Sequence, residues 1–328
     1  MSQYIFMRMK QSRKGQNIAA LAVSLLICAL LSGCTHLRVS NVARQPPGTP
    51  IKASDVQFVS SFKDIKGPWR LEGTISGYMA PLFKNNAENR ESYLREMAAD
   101  MGINTVVGFL PNVGEGVGGV SHVHVIMANS GSSQEQNSDP MPKFIICLPP
   151  ANFKIEKTPP LSKLDEYLRE YLQYVLGYGK GYYAYYCNTP GVDNSSILQG
   201  NASLDGLSEP IGIQPDFALL SDVDGYDVEG NIVIRRSNTL KLTMTLYDIK
   251  EKKSVWSCST EGICSSSLLG AFFIGLVAGP VGGIVNATVE GVADSKDVLR
   301  SVSNAVNNAM KDFPEVKGFK KGGGGFPI

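Results

Sequence analysis

The run TLKLTMTLYDIKEKKSVWSCS, residues 239–259, decides how the chain is read. In its first half Leu240, Leu242, Met244 and Leu246 alternate with Lys241, Thr243 and Thr245. Successive side chains of a strand point to opposite faces, so this half is a strand with one buried and one wet face. Ile249-Lys-Glu-Lys-Lys is a polar turn, and Ser254-Val-Trp-Ser-Cys-Ser returns as a second strand that completes a hairpin.

Working outward, the hairpin belongs to a folded region of about residues 143–316. Lys143-Phe-Ile-Ile-Cys-Leu-Pro-Pro is a buried strand ending at prolines. Ser162 opens a helix with Leu164, Leu168, Leu172 and Val175 on one stripe, closed by Gly177 and Gly179. Gly181-Tyr-Tyr-Ala-Tyr-Tyr-Cys is a second strand, and a short polar helix covers about 193–207. Pro215-Asp-Phe-Ala-Leu-Leu-Ser-Asp-Val is a third strand, which SDVDGYDVEG (221–230) ends as an acidic turn. Ile232-Val-Ile-Arg-Arg is extended. A long helix over about 294–312 turns Val298, Val302, Ala305, Val306 and Ala309 inward. Residues 317–328 read as a flexible tail.

A second region, about 53–129, reads β-β-α-β-β. Its strands are Val56-Gln-Phe-Val-Ser, Trp69-Arg-Leu-Glu-Gly-Thr-Ile, Asn104-Thr-Val-Val-Gly-Phe-Leu and His122-Val-His-Val-Ile-Met. Between them a helix of about 89–101 places Leu94, Met97, Ala98 and Met101 on one face, and Gly102 ends it. The polar stretch SGSSQEQNSDPMP (130–142) separates the two regions as a linker. The expected fold class is α+β or α/β: two small mixed-sheet domains.

Two resemblances attach to these phrases. KFIICLPP, LSKLDEYLREYL, DFALLSDVDGYD and TLYDIKEKKSVWS resemble the periplasmic α/β domain of the curli secretion channel lipoprotein family. Small outer-membrane assembly lipoproteins and the amino-terminal domain of the Tol-system propeller protein share that order. The chain departs from channel members in showing no pair of long alternating strands. LREMAADMGINTVVGF resembles a small α/β envelope unit found in the Rcs stress-sensor lipoprotein and in proteins labelled heavy-metal-binding, with Ile103 in place of an alanine.

The first 33 residues read as a targeting segment. Arg8, Lys10, Arg13 and Lys14 precede an apolar run, Ile18 to Leu31, which is short for a spanning helix. It ends Leu31-Ser32-Gly33-Cys34, which resembles a bacterial lipoprotein signal cleaved between Gly33 and Cys34. That resemblance implies a diacylglycerol on the Cys34 thiol. Thr35 stands where an aspartate would retain the protein at the inner membrane, so the implied address is the outer membrane, periplasmic face. Residues 34–52, with RQPPGTP, read as a tether.

The full chain carries a net charge of +1, with 31 basic and 30 acidic residues. Removing the signal takes four bases and no acid, which leaves a mature charge of −3 and argues against nucleic acid as a partner. Four cysteines remain besides Cys34: Cys147, Cys187, Cys258 and Cys264. An even count in an oxidising compartment allows two disulfides, Cys258–Cys264 by proximity and Cys147–Cys187 if their strands are neighbours. The alternative is four free thiols.

SLLGAFFIGLVAGPVGGIVNATVEGV (267–292) is uncharged before Glu290. Gly275 and Gly279 have the spacing that lets apolar helices approach, Gly283 continues it, and Pro280 interrupts any helix there. This Gly-rich helical segment is a candidate membrane or oligomer contact; the alternative is a core helix–turn–helix. His122 and His124 share one strand face without a third ligand nearby, so no metal site is assigned. The acidic run 221–230 breaks the EF-hand order. No Ser-His-Asp, Cys-His or paired-carboxylate phrase points to an enzyme, and no cofactor is expected. The expectation is a lipid-anchored envelope protein acting by assembly with envelope proteins or itself, in biogenesis or secretion. A ligand- or metal-binding envelope lipoprotein is the alternative.

Overall fold

A computed structural model describes residues 38–43, 48–79, 87–108, 121–131, 142–155, 164–208, 210–231, 235–266 and 290–320. The elements of the first half are β1 (Arg38–Ala43), β2 (Gln57–Val59), β3 (Trp69–Met79), α1 (Ala87–Asp100), β4 (Thr105–Val107) and β5 (Ser121–Ser130). They form a five-stranded sheet in the order β1-β3-β5-β4-β2. Only β2–β4 pair in parallel. The leucine and alanine positions of α1 do what their spacing predicts: Leu94 and Ala98 are fully buried, against Ile75, Val106, Val125 and Met127. Gly102, at φ +72°, ends the helix where the backbone of Gly48 and Thr49 crosses so closely that a Cβ would meet Thr49 O at 2.6 Å.

The second half comprises β6 (Ile145–Leu148), β7 (Asn152–Phe153), α2 (Leu164–Tyr174), a π-helical turn (Val175–Lys180) and β8 (Tyr183–Tyr186). There follow α3 (Asn194–Leu198), α4 (Leu204–Ser208), β9 (Phe217–Asn231), β10 (Arg235–Asp248), β11 (Lys253–Ser266) and α5 (Glu290–Met310). The sheet order is β11-β10-β9-β6-β8, with β7 beside β9. β6 runs parallel to β8 and β9, and β9, β10 and β11 are antiparallel. The hairpin of 239–259 forms as read: Leu240, Leu242, Met244 and Leu246 are buried to within 1%. Asp248 accepts the Glu251 N–H at 2.8 Å to close its turn. The inward stripe of α5, Val298, Val302, Ala305, Val306 and Ala309, has no exposed surface.

Several expectations change. Residues 34–52 are not a tether throughout: Arg38–Ala43 pair with Gly73–Tyr78, because β3 offers a free edge whose backbone groups need partners. The acidic run 221–230 is no turn; it lies inside β9, held by its pairing with β10, with the extra residue absorbed by a bulge opposite Lys241/Leu242. The three strands β9–β11 are 15, 14 and 14 residues long, so long paired strands are present after all. The helix before Gly177 does not stop there but continues as a π-helical turn to Lys180, ending at Gly181 with φ 82°. The polar helix of 193–207 is two short helices.

The two sheets share one core. One face of β5 packs on α1, and the other carries Ile126 and Ala128 into a cluster with Phe144, Tyr183 and Tyr185 of the second half. Phe62 N–H also donates to Ile211 O across the boundary at 3.0 Å. Val316 N–H donates to Lys180 O, and Phe319 packs on the core, so residues 317–320 do not belong to a free tail.

Candidate functional site

Where the sheets meet, β3 and β5 of the first half face α2, the π-helical turn and β8 of the second. Ser76 and His124 are register partners on β3 and β5 and point at the same neighbour. The His124 ring stacks on Tyr183, centroids 4.6 Å apart and planes 8° from parallel. Its Nε2 accepts the Ala184 N–H at 2.6 Å, and its Nδ1 lies 2.6 Å from Ser76 Oγ. A backbone N–H only donates, so Nε2 is unprotonated; the neutral ring then carries its proton on Nδ1 and donates it to Ser76.

Ala184 sits in β8, the terminal strand of the second sheet. Its N–H goes to His124, and its C=O accepts from Gln173 Nε2 of α2 at 2.7 Å. Two side chains from different elements thus satisfy a sheet edge that would otherwise present open backbone groups. Gly177 makes room for this: a Cβ there would sit 2.6 Å from His124 Cε1 and 2.8 Å from Ser76 Oγ. Ser76, His124, Gln173, Tyr174, Gly177 and Tyr178 line a shallow notch too narrow to seat a small molecule. Both ring nitrogens of His124 are occupied, so it is placed to join the sheets, not to ligate a metal.

The remaining candidates are distributed as follows. Gly33, Cys34, Gly275, Gly279, Pro280 and Gly283 lie outside the described residues. Cys147, Cys187, Cys258 and Cys264 are free thiols. Cys258 and Cys264 are six residues apart on the same strand, about 20 Å, and a disulfide needs Cα atoms within about 7 Å, so that pairing is corrected. β6 and β8 are neighbours, but Cys147 pairs with Tyr185, and Cys187 stands two residues further on. Cys187 Sγ–H donates instead to Gly206 O at 3.4 Å. Burial pushes the Cys147 thiol well up.

The acidic run places Asp222 against Lys154 Nζ at 2.8 Å, with Asp224 at 3.5 Å. Burial pushes the Asp222 carboxyl up, but hydrogen bonds from Lys154, Asn152 and Asn194 outweigh it and hold it below its ordinary value. An ammonium therefore stands between the two carboxylates. Among the described residues no group of three His, Cys, Asp or Glu gathers to hold a metal ion. The tyrosines of β8 all pack: Tyr185 O–H donates to Leu207 O at 2.5 Å, and Arg169 lies over Tyr186 at 5.0 Å. Tyr182 meets Phe217 and Phe313 edge-on, and burial raises its phenol to about 12.

The sequence reading missed Ser76, Gln173 and Gly177 as partners of His124. The usable signal was a histidine inside an otherwise apolar run, VHVIMA, and a glycine directly after the α2 stripe.

No family model matches the chain, and no curated protein does. Solved structures share part of it. The lipoprotein GNA1162 from Neisseria meningitidis is 18% identical over 44% of this chain and 99% of its own, with a TM-score of 0.27. The PelC dodecamer from Paraburkholderia phytofirmans is 10% identical over 38% and 79%, TM-score 0.24. The C-terminal domain of LpoB from Salmonella enterica is 14% identical over 39% and 87%, TM-score 0.23. Among the described residues no helix is long and apolar enough to cross a membrane.

Proposed function

We propose that the chain is a lipid-anchored protein on the periplasmic face of the outer membrane that works by protein–protein assembly and not by catalysis. The observation that carries this reading is Leu31-Ser32-Gly33-Cys34, behind an apolar run and four basic residues and followed by Thr35. Several acyl chains on one cysteine, each methylene contributing about 0.8 kcal/mol, make a stable anchor. The commitment of both His124 ring nitrogens to the sheet joint supports a non-catalytic role.

Palmitate labelling with a Cys34→Ala control, followed by membrane fractionation and crosslinking in the envelope, tests the proposal. The expected result is label and outer-membrane fractionation for the parent protein, neither for Cys34→Ala, and discrete crosslinked species. Unlabelled parent protein would remove the anchor; a monomer without crosslinked partners would remove the assembly role.

A further inference from the structure

We infer that two copies of this chain pair edge to edge through β11, antiparallel about a two-fold axis at Cys258. This names a partner for the assembly role proposed above and rests on that reading. β11 is the terminal strand of the second sheet. In an antiparallel pair, alternate residues turn both backbone groups away from the neighbouring strand. Glu261 O and Ile263 O accept from Asn308 Nδ2 and Asn304 Nδ2 of α5, so the odd-numbered residues here are the ones that face away from β10. Ser257 and Ser259, opposite Thr245 and Thr243, belong to the same set.

Both ends of this edge are shielded and its middle is not. Toward the C-terminal end, the two asparagines of α5 occupy the carbonyls. Toward the N-terminal end, the register skips Val255 between the Leu246–Trp256 and Tyr247–Ser254 pairs, and that bulge breaks the row. α5 leaves the edge after Asn308: Phe313, just past its end, packs edge-on against Trp256 and Tyr182, and Tyr182 against Phe217 of β9. Ser257 and Ser259 are exposed. Among the described residues their outward backbone groups have no partner nearer than the Cys258 thiol, 3.8 Å from Ser259 O. Residues Ser254–Thr260, SVWSCST, hold no charge, glycine or proline, the composition of a strand that adds to another strand.

The occupant is a second copy because the strand complements itself when reversed. Ser257 of each copy opposite Ser259 of the other makes about four main-chain hydrogen bonds. The same register lays the Lys252-Lys253 end of each strand beside the Glu261 end of its partner. Glu261 is exposed and has no ion pair among the described residues. Val255 and Ile263, 44% and 54% exposed, become neighbours across the pair. A parallel pairing would set lysine beside lysine. Cys258 then faces its own copy with Cα atoms about 4.5 Å apart, within disulfide reach. The pairing does not depend on that bond; the thiol is its reporter, and the other described cysteines are buried.

The test is copper–phenanthroline crosslinking of the full-length protein in envelope membranes, read on non-reducing gels, with Cys258→Ser as the control for other thiols. A second reporter, Ser254→Cys in the Cys258→Ser protein, lies about 25 Å from its own copy in the proposed register. The expected result is a disulfide dimer through Cys258 at least about tenfold more abundant than through Ser254→Cys. Ser257→Pro removes an outward N–H, which an edge strand tolerates, and is expected to abolish the dimer while circular dichroism stays unchanged. If that variant does not fold, Ser259→Lys, which places a charge on the same edge, decides instead. Equal crosslinking at both reporters, or a dimer that survives in a folded edge variant, overturns the pairing. No Cys258 dimer in membranes where the protein still crosslinks to other envelope proteins overturns the pairing and leaves the assembly role standing. Loss of every crosslinked species overturns both.

Discussion

His124 shows how much one side chain contributes when it closes a sheet edge. Replacing it by alanine leaves the Ala184 N–H without its acceptor, and an unsatisfied buried donor costs about 1–3 kcal/mol. Gly177→Ala drives a methyl into the same ring and is expected to cost about 1–3 kcal/mol. The two are coupled: in a His124→Ala background the Gly177→Ala penalty should shrink, since the atom it strikes is gone. Chemical denaturation of the four proteins in a double-mutant cycle reads this directly, and additive losses would contradict the joint. Asp248 makes a second, pH-dependent case. Burial pushes its carboxyl up, but the hydrogen bond from Lys143 and the N–H groups of Glu251 and Lys250 outweigh that and hold it below its ordinary value. A carboxyl lowered by folding stabilises above the unfolded value, near 3.9, and that stabilisation is lost as pH falls through the folded value. Asp248→Asn should therefore cost about 1–3 kcal/mol at neutral pH. The gap to the parent protein should narrow below about pH 4. Stability curves of the two proteins against pH check the sign.

At the scale of elements, α5 packs on β11 with no room for a side chain at Gly262. A Cβ on Gly262 would lie 1.8 Å from Ser301 O and 2.4 Å from Ala305 N, with no flexible side chain to give way. Gly262→Ala must lift the helix off the strand, at about 3 kcal/mol or more, and thermal melts should show it as the most damaging single methyl described. Asn304 and Asn308 donate from the same helix to Ile263 O and Glu261 O, so α5 also holds part of the terminal strand of its sheet. The strand geometry of β11 predicts the cysteine chemistry. Non-reducing peptide mapping of the folded protein should find no Cys258–Cys264 bridge, since the two thiols are held about 20 Å apart. The stripes of α2 and α5 and the alternation of β10 were legible because each is a local period that one packed face enforces. The extent of β9 was not legible: Asp222, Asp224 and Gly225 have turn chemistry, and pairing with β10 on one side and β7 on the other, with the contact to Lys154, keeps them extended.

For the molecule as a whole, the shared core of the two sheets carries the last prediction. Ile126 and Ala128 from one half are buried with Tyr183 and Tyr185 of the other, and His124 bonds across the same boundary. Unfolding should follow one cooperative transition, the same by circular dichroism and by tryptophan fluorescence; two separated transitions would mean that the halves stand alone. The sequence by itself determined the mixed α and β class, the hairpin at residues 239–259 and the buried faces of the helices. It also carries Leu31-Ser32-Gly33-Cys34, the run on which the anchor proposal depends. All of these are written in contiguous residues whose period or order has a local physical cause. Only the tertiary structure decided that Arg38–Ala43 are a strand beside β3, that Cys258 and Cys264 stand too far apart to bond, and that His124 accepts the Ala184 N–H. Each depends on a backbone group or side chain brought from a distant part of the chain, and no local pattern encodes which partner will be left open there.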